Sequence, residues 1–334
     1  MIISRTPFRV SLFGGGSDYP KWYRENGGAV LGFSINKYCY ISIRPLPPFF
    51  EHRHRIVYSS VENVSEINEI KHPAVRAVLQ DQKVEIGLEI HHDGDLPARS
   101  GLGSSSSFTV GLLNALNSLQ GGNIKKQKLA HEAIRIEQQV IGEAVGSQDQ
   151  IWAAYGGMNH IEFQRNGDFR VHSLKIENER RQELLDHFLL FFTGFSRFAS
   201  EIAQKKIDNF KNRTQHILMM TSLVDEAIKV ISSETDPIEK IGDLLNQTWQ
   251  LKRELADTVT TPEIDQIYEA ALDAGAKGGK LLGAGGGGFF LFFVEPKKHS
   301  AVKDRLKDFV QVDFGIDEVG SKIVLYEPDG LENC

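Results

Sequence analysis

The chain has 334 residues, which is enough for two domains or one large one with a sizeable buried core. Its formal net charge of −6 argues against nucleic acid or an anionic membrane as the main partner. With 41% hydrophobic and 25% charged residues the composition is typical of a folded globular protein. Its two cysteines, Cys39 and Cys334, exclude a disulfide framework or a cysteine metal cluster.

The N-terminal segment MIISRTPFRVSLF shows no export signal, because Arg5, Pro7 and Arg9 interrupt it. The longest strongly apolar runs, residues 188–192 and 289–294, are far shorter than the roughly 20 residues that a membrane span requires. We therefore expect a cytoplasmic protein without a membrane segment.

The first half of the chain favours strands, because its segments rich in β-branched and aromatic residues are bounded by Gly, Pro or Asp. Between residues 104 and 144 the apolar residues instead recur every three to four positions, which predicts two helices separated by Gly121 and Gly122. The predicted strands of this half are 2–13, 29–43, 84–91, 158–164, 169–174 and 188–192.

The second half is mainly helical in its first part. The interval 199–274 is almost free of glycine and predicts three helices, and the tail then alternates strand 289–294, helix 299–309 and strand 323–326. Strands paired with helices indicate an α+β protein, which we divide into domains at 1–180 and 181–334.

The segment LPARSGLGSSSS, residues 96–107, has the features of an anion-binding loop. Gly101 and Gly103 let the backbone approach a ligand, and the helix that begins at the serines directs N–H groups and its positive end towards a phosphate. No G-x-x-x-x-G-K-[ST] sequence is present, so this is not the common P-loop. The alternative is a serine-capped helix that follows a glycine turn.

Two further segments are rich in glycine. In KLLGAGGGGFF, residues 280–290, five glycines in six positions are hard to justify as a mere connection, since a tight turn needs one or two. In PFRVSLFGGGSDY, residues 7–19, a strand runs into a glycine turn and then presents Asp18, which suits sugar hydroxyls or a simple turn. Arg9 shares a strand face with Ser11 and could reach the same place.

Glu137 falls inside the apolar stripe of the second predicted helix, where Val140 and Ile141 would lie on the same face. A buried carboxylate needs a partner, and a divalent cation, an arginine or a structural salt bridge would serve. Asp149 lies in a predicted loop just ahead of an apolar run and is a candidate base.

Together the three glycine-containing segments, in this order and spacing, resemble the motifs of the GHMP small-molecule kinase superfamily over essentially the whole chain. The resemblance implies the GHMP kinase fold, with an N-terminal ribosomal-protein-S5-like α/β domain and a C-terminal ferredoxin-like α+β domain. It also implies ATP and Mg²⁺ as cofactors.

The resemblance assigns roles to individual positions. Asp149 would face the attacking hydroxyl, Arg9 would lie beside it, and Ser105 and Glu137 would hold magnesium. The ATP phosphates would be bound by Gly101, Leu102, Gly103, Ser104, Ser105 and Ser106.

The acceptor site departs from the galactokinase pattern, because Gly15 and Gly16 stand where Glu and His hold the hexose. The loss of two side chains argues against galactose and leaves room for a longer or phosphorylated sugar. Such a sugar would need cations, which we expect among Lys37, Arg44 and Arg99. The expected substrate-binding set is completed by Asp18, Gly285 and Gly286.

The Gly-Gly-Gly-Ser-Asp-Tyr variant and residues 27–43 are similar to the bacterial D-glycero-D-manno-heptose 7-phosphate kinase branch. That resemblance implies phosphorylation of the anomeric C1 hydroxyl to the 1,7-bisphosphate, for nucleotide-activated heptose. The partners would be ATP and a sugar phosphate, in a monomer or a homodimer. The alternatives are a kinase for fucose or non-phosphorylated heptose, and a sugar and ATP sensor without activity; a decarboxylase of diphosphorylated acids is a more distant one.

Overall fold

The computed structural model describes residues 1–194 and 199–328, so Cys334 lies outside the described residues, whereas Cys39 is buried. The strands are β1 (Ile2–Phe13), β2 (Gly28–Pro45), β3 (His54–Val57), β4 (Val61–Val64), β5 (Leu88–Gly94), β6 (Met158–Phe163), β7 (Phe169–Ser173), β8 (Phe188–Phe192), β9 (Ala276–Leu281), β10 (Phe289–Val294), β11 (Val310–Val312) and β12 (Lys322–Tyr326).

The helices surround two sheets. They are α1 (Pro20–Asn26), α2 (Pro73–Asp81), α3 (Ser104–Leu119), α4 (Lys126–Arg135), α5 (Gln148–Tyr155), α6 (Asn178–Asp186), α7 (Ala199–Asn209), α8 (Thr214–Ser232), α9 (Lys240–Arg253), α10 (Pro262–Asp273) and α11 (His299–Arg305). A π-helical segment, Ile136–Ile141, extends α4, and two short 3₁₀ turns cover Ile67–Glu69 and Pro296–Lys298.

The first sheet is built around the long strand β2. The later part of β2 pairs antiparallel with β5, and its first part pairs antiparallel with β6. Strand β1 runs antiparallel along the opposite edge of β2. Strands β3 and β4 extend the sheet beyond β5, and β7 extends it beyond β6. From Thr6 onwards every side chain of β1 is buried. Helix α3 packs on this strand, and α8 and α9 also contact it.

Helix α3 is the central helix of the first half, and it is buried on nearly all sides. It packs against β1 and β2 at short range because Gly111 faces Ser4 and Thr6, where a Cβ would lie 2.9 Å from the Thr6 hydroxyl. This packing fixes the start of α3, and with it the serine-rich loop, relative to β1.

The second sheet has the strand order β11-β8-β10-β9, and all of its pairs are antiparallel. With helices between β8 and β9 and between β10 and β11, this is the βαββαβ arrangement of ferredoxin-like folds. The predicted α+β class and the ferredoxin-like second half are therefore confirmed.

The last strand returns to the first sheet, since β12 pairs antiparallel with β1. The division at 1–180 and 181–334 stays a proposal for the main parts of the chain, with β12 as an element of the second part that joins the sheet of the first. Within the described residues, no helix combines the length and the apolar character needed to cross a bilayer.

Several predicted elements differ from the structure. The interval 199–274 holds four helices rather than three, because a turn after α7 separates it from α8. Strands β3, β4, β9 and β11 were not predicted, since they are short or rich in glycine and charge. Asp149 lies in the first turn of α5 rather than in a loop. Val140 is exposed, because the π-helical hydrogen bonds shift the angular position of the residues after Glu137.

Candidate active site

One cleft brings together residues from most of the chain and encloses about 1030 Å³, including its open mouth. We call the part formed by the turn after β1, the loop 99–103 with the start of α3, and the start of α5 the N-terminal wall. The part that carries Lys206, Lys252 and Lys280 is the C-terminal wall.

The serine-rich loop gives the N-terminal wall the character of an anion site. Helix α3 begins at Ser104, and its N-cap is Gly103 with a φ of +76°, so no cap side chain covers its first N–H groups. Gly101, Gly103, Ser104 and Ser105 line the cleft. Leu102 instead turns its side chain into the core, and its carbonyl oxygen accepts the Arg9 N–H at 3.0 Å.

Arg9 and Asp149 form a bidentate ion pair in the cleft. The Nε and Nη2 groups of Arg9 each donate to one oxygen of Asp149 at 2.7 Å, and Nη1 donates to the carbonyl of Gly101. Arg9 is buried, while about a quarter of the Asp149 side chain stays exposed. The carboxylate is therefore held in place beside the serine-rich loop and still reaches the cleft.

Asp18 lies at the glycine turn, almost fully buried. It accepts hydrogen bonds from the Gly16 N–H and from Nε2 of Gln148, both at 2.9 Å. Gly146 must be glycine here, because a Cβ would overlap the Asp18 carboxylate. Burial raises the pKa of Asp18, although the hydrogen bond from Gly16 favours its charged form.

The glycine turn itself leaves space on the cleft side. Gly15 and Gly16 line the cleft, and a Cβ at Gly15 would come no closer than 4.0 Å to a neighbouring side chain. Gly14 is different, because it has a φ of +79° and a Cβ there would overlap the backbone of Ala29. Gly14 thus makes the turn, and Gly15 leaves room for a ligand.

Glu137 lies behind the serine-rich loop in the π-helical segment and is almost fully buried. Its Oε2 accepts from the Ser106 hydroxyl at 2.9 Å and from Nε2 of Gln150. Thr109 lies close by, but its hydroxyl donates to the carbonyl of Ser105, so Oε1 has no hydrogen-bond partner among the described residues. Burial raises the pKa of Glu137 to about 7.

A buried carboxylate oxygen without a partner among the described residues, next to serine hydroxyls at an uncapped helix start, fits Mg²⁺. This ion takes one or two protein carboxylates and completes its coordination with phosphate oxygens and water. The predicted metal pair of Ser105 and Glu137 stays a prediction. The hydroxyl in contact with Glu137 belongs to Ser106, whereas Ser105, one position earlier on α3, is exposed and lines the cleft.

The C-terminal wall carries three lysines that the sequence analysis missed. Lys206 of α7, Lys252 of α9 and Lys280 of β9 are 5%, 6% and 3% exposed. Burial lowers the pKa of each ammonium, to about 8 for Lys206 and about 7 for Lys280. The periodicity argument that singled out Glu137 could have found Lys206, because Ile202 and Ala203 lie on its helix face and are buried.

Four of the predicted substrate-binding residues lie elsewhere. Lys37 sits where β2 bulges against β1, and Arg44 pairs across the sheet with Glu89 at 2.5 Å, so neither lines the cleft as Arg99 does. Gly285 packs against the backbone of Val259, and the Gly286 N–H donates to the Val259 carbonyl at 2.9 Å. These two glycines serve close packing, not the cleft.

The third glycine segment nevertheless shapes the site. Gly283 lies directly against Gly101, and Gly288 against the carbonyl of Ser100, with no space for a Cβ at either contact. The N–H of Phe289 donates to the same Ser100 carbonyl at 3.1 Å. The glycines of residues 283–288 therefore let the second sheet dock onto the serine-rich loop.

The comparisons with known proteins agree with this architecture. The family model of the GHMP kinases N terminal domain matches residues 68–157, and that of the GHMP kinases C terminal matches residues 233–311. The chain belongs to the GHMP kinases and has the fold of that family, and such enzymes are ATP-dependent phosphotransferases.

Within the family the chain is a sugar kinase. It is 30% identical over 335 residues to the D-glycero-alpha-D-manno-heptose 7-phosphate kinase of Campylobacter jejuni, with 96% of this chain and 98% of the relative covered. It is 26% identical to the galactokinase of Pyrococcus furiosus, with 91% and 92% covered. A crystal structure of a D-glycero-D-manno-heptose 1-phosphate kinase from Bacteroides thetaiotaomicron shares the fold, with a TM-score of 0.79, 24% identity, and 97% and 98% covered.

Proposed function

We propose that this protein transfers the γ-phosphoryl group of ATP to the anomeric C1 hydroxyl of D-glycero-D-manno-heptose 7-phosphate, giving the 1,7-bisphosphate for nucleotide-activated heptose. The observation that carries the proposal is the position of Asp149, bound to Arg9 beside the start of α3 and open to the cleft. A base next to an anion-binding helix start is what phosphoryl transfer to an alcohol requires.

The phosphate end of the site is the serine-rich loop. The N–H groups at the start of α3, with Gly101, Gly103 and Ser104, would bind the phosphates of ATP. Mg²⁺ would be held by Glu137 together with Ser106 or Ser105, where it would offset phosphate charge. Gln150 keeps the Glu137 carboxylate oriented through its hydrogen bond.

At the acceptor end, Asp149 would orient the C1 hydroxyl and take its proton as the phosphoryl group arrives. Arg9 holds Asp149 through two hydrogen bonds. Its guanidinium would also stabilise the negative charge of the phosphoryl group during transfer. Asp18 would contact sugar hydroxyls from the turn that Gly15 and Gly16 leave open. Transfer is direct in this proposal, without a covalent intermediate on the enzyme.

The choice of a phosphorylated heptose is supported by the cleft and by the Campylobacter jejuni relative. Gly15 leaves space where a side chain would shorten the acceptor site, and the lysines of the C-terminal wall suit an anionic acceptor. An enzyme of this kind would act in the cytoplasm, as a monomer or a homodimer.

The proposal is tested with the purified enzyme and a panel of acceptors in a coupled assay of ADP release. The panel contains heptose 7-phosphate, heptose 1-phosphate, non-phosphorylated heptose, fucose and galactose, and phosphorus NMR locates the new phosphate. We expect heptose 7-phosphate to give the highest kcat/KM, with the new phosphate on C1. A higher kcat/KM with another acceptor, or a new phosphate on another carbon, would overturn the proposed substrate, and binding without ADP release would indicate a sensor.

A further inference from the structure

The two walls of the cleft do not balance in charge. Among the described residues, five basic side chains and two acidic ones line it. These are Arg9, Arg99, Lys206, Lys252 and Lys280 on the basic side, and Asp18 and Asp149 on the acidic side. The Asp149 carboxylate is already bound by Arg9, so the three lysines face one acidic group that is itself hydrogen-bonded. Buried cations without counter-ions destabilise a folded protein, which indicates that a ligand supplies negative charge.

The three lysines differ in what their ammonium groups already bind. Nζ of Lys280 donates to the carbonyl of Leu12 at 2.8 Å. Nζ of Lys252 donates to the carbonyls of Leu281 and Gly283 at 2.6 and 2.7 Å. Lys206 has no hydrogen-bond acceptor within residues 1–194 and 199–328, although its side chain is 95% buried, and it lines the cleft. Its three N–H groups are therefore the ones with capacity for a ligand.

The surroundings of Lys206 place it at the acceptor end of the cleft. Its Nζ lies 5.8 Å from the centre of the Tyr19 ring, and Tyr19 directly follows Asp18. Asp18 and Asp149 both attract its charge. A group bound by Lys206 thus lies on the sugar side of Asp149.

We propose that Lys206 binds the phosphate that the sugar already carries, while Lys252 and Lys280, whose ammonium groups donate to backbone carbonyls, complete the wall beside it. This inference rests on the proposed function, in which the acceptor is a sugar phosphate. A phosphate has several oxygens that accept charge-assisted hydrogen bonds, so it can satisfy the N–H groups of the Lys206 ammonium and offset its charge. A sugar hydroxyl would satisfy the hydrogen bonds but leave the charge unbalanced.

The test compares Lys206→Met and Lys206→Arg with wild type, using heptose 7-phosphate and non-phosphorylated heptose as acceptors. We expect Lys206→Met to raise KM for the phosphorylated acceptor by about 10- to 100-fold, the effect of losing a charged hydrogen bond. KM for the non-phosphorylated acceptor and for ATP should change by less than about threefold, and Lys206→Arg should recover most of the loss. Lys205→Met, one position away on the exposed face of α7, is the matched control.

A second arm uses inorganic phosphate as the probe. Phosphate should inhibit wild type in competition with the sugar phosphate, and Lys206→Met should lose that inhibition. Inhibition in competition with ATP alone would assign the anion to the nucleotide site and overturn the inference. Equal increases in KM for both acceptors would overturn it as well, because they would indicate a structural role. Circular dichroism of each variant checks folding, and Lys206→Gln replaces Lys206→Met if that variant is unfolded.

The two proposals fail in different ways. If wild type does not phosphorylate heptose 7-phosphate, the proposed substrate is wrong. KM of the Lys206 variants is then measured with the other sugar phosphate of the panel that wild type phosphorylates. If wild type uses heptose 7-phosphate and Lys206→Met has the same KM, the Lys206 inference alone is wrong. If wild type turns over only sugars without phosphate, both are wrong.

Discussion

The two walls of the cleft differ in the partners of their buried charged side chains. On the N-terminal wall the charged groups have protein partners: Arg9 binds Asp149 through two hydrogen bonds, and Glu137 accepts from Ser106 and Gln150. On the C-terminal wall, Lys252 and Lys280 donate to backbone carbonyls, and within the described chain no carboxylate lies within ion-pair distance of Lys206.

This difference distinguishes side chains that must be held in one orientation from side chains that must attract an anion. A carboxylate that takes a proton has to be in place before the substrate arrives, so its hydrogen bonds to the protein contribute to positioning. An ammonium that binds a variable anion needs its donors unused until the ligand is bound. In the proposed function, the N-terminal wall therefore serves the phosphoryl transfer, and the C-terminal wall binds the charge of the acceptor.

The largest effect is expected from Asp149→Asn, which keeps the shape of the side chain and removes its basicity. We expect kcat to fall by roughly 100- to 10,000-fold, the usual contribution of a general base, with little change in the Kd for ATP. The coupled ADP assay measures the first and calorimetry the second. Asp168→Asn, at a half-exposed position just before β7 and outside the cleft, is the control. Full turnover by Asp149→Asn would remove this residue from its assigned role.

The next effect separates two neighbouring serines on the same wall. Ser106→Ala removes the hydroxyl that donates to Glu137, whereas Ser105→Ala removes an exposed one. We expect Ser106→Ala to raise the Mg²⁺ concentration needed for half-maximal rate by about 10- to 100-fold, as losses beside a metal ligand do. Ser105→Ala should change it by less than about threefold. The reverse ranking, from a magnesium titration of the two variants, would support Ser105 as the metal ligand, as the sequence predicts.

Much of the N-terminal wall could be predicted because its signals are local. The glycine segments stand out in the sequence, and a carboxylate inside an apolar helical stripe must find a partner, which identified Glu137. The strand patterns of β1, β8 and β10 likewise gave their ends correctly, since dense runs of apolar, β-branched and aromatic residues leave little choice.

The parts that could not be predicted depend on packing between distant segments. Which serine meets Glu137 is decided by the rotation of α3 against the π-helical segment, and no single segment encodes that angle. Arg44 was expected at the substrate, but the register of β2 against β5 places it opposite Glu89. Gly285 was expected there too, and the docking of the second sheet brings it against Val259 instead.

A pH dependence would sharpen the contrast between the walls. Lys206 has a pKa lowered to about 8, so it is protonated at pH 7 and loses its charge as pH rises through 8. The charged groups around it are Asp18, Asp149, Lys252 and Lys280, and the Tyr19 ring packs against it. We expect kcat/KM for heptose 7-phosphate to fall about tenfold per pH unit above 8.

Lys206→Arg is the matched variant for this profile, because a guanidinium keeps its charge over the whole range. For Lys206→Arg we compare kcat/KM for the phosphorylated acceptor with kcat/KM for non-phosphorylated heptose at each pH. The ratio of the two should stay constant between pH 7 and 9.5. If the variant and wild type decline in parallel, the titrating group is another one, and the anion-binding role of Lys206 loses its support.

The smallest effect concerns stability without ligand. A folded-state pKa of about 8 against the ordinary 10.5 means that the unfolded chain holds the proton more tightly, which costs the fold roughly 3 kcal/mol below pH 8. Lys206→Met should therefore raise Tm at pH 7 by a few degrees, and the gain should shrink as pH rises from 8 towards 10.5.

Scanning calorimetry with and without the sugar phosphate measures this effect, with Lys205→Met as the exposed control. The acceptor should raise the Tm of wild type more than that of Lys206→Met, because a ligand stabilises the folded state in proportion to its affinity. A lower Tm for ligand-free Lys206→Met would mean that the ammonium already has a stabilising partner in the protein. The contrast between charged groups that have protein partners and charged groups that are left for a ligand would then not hold at Lys206.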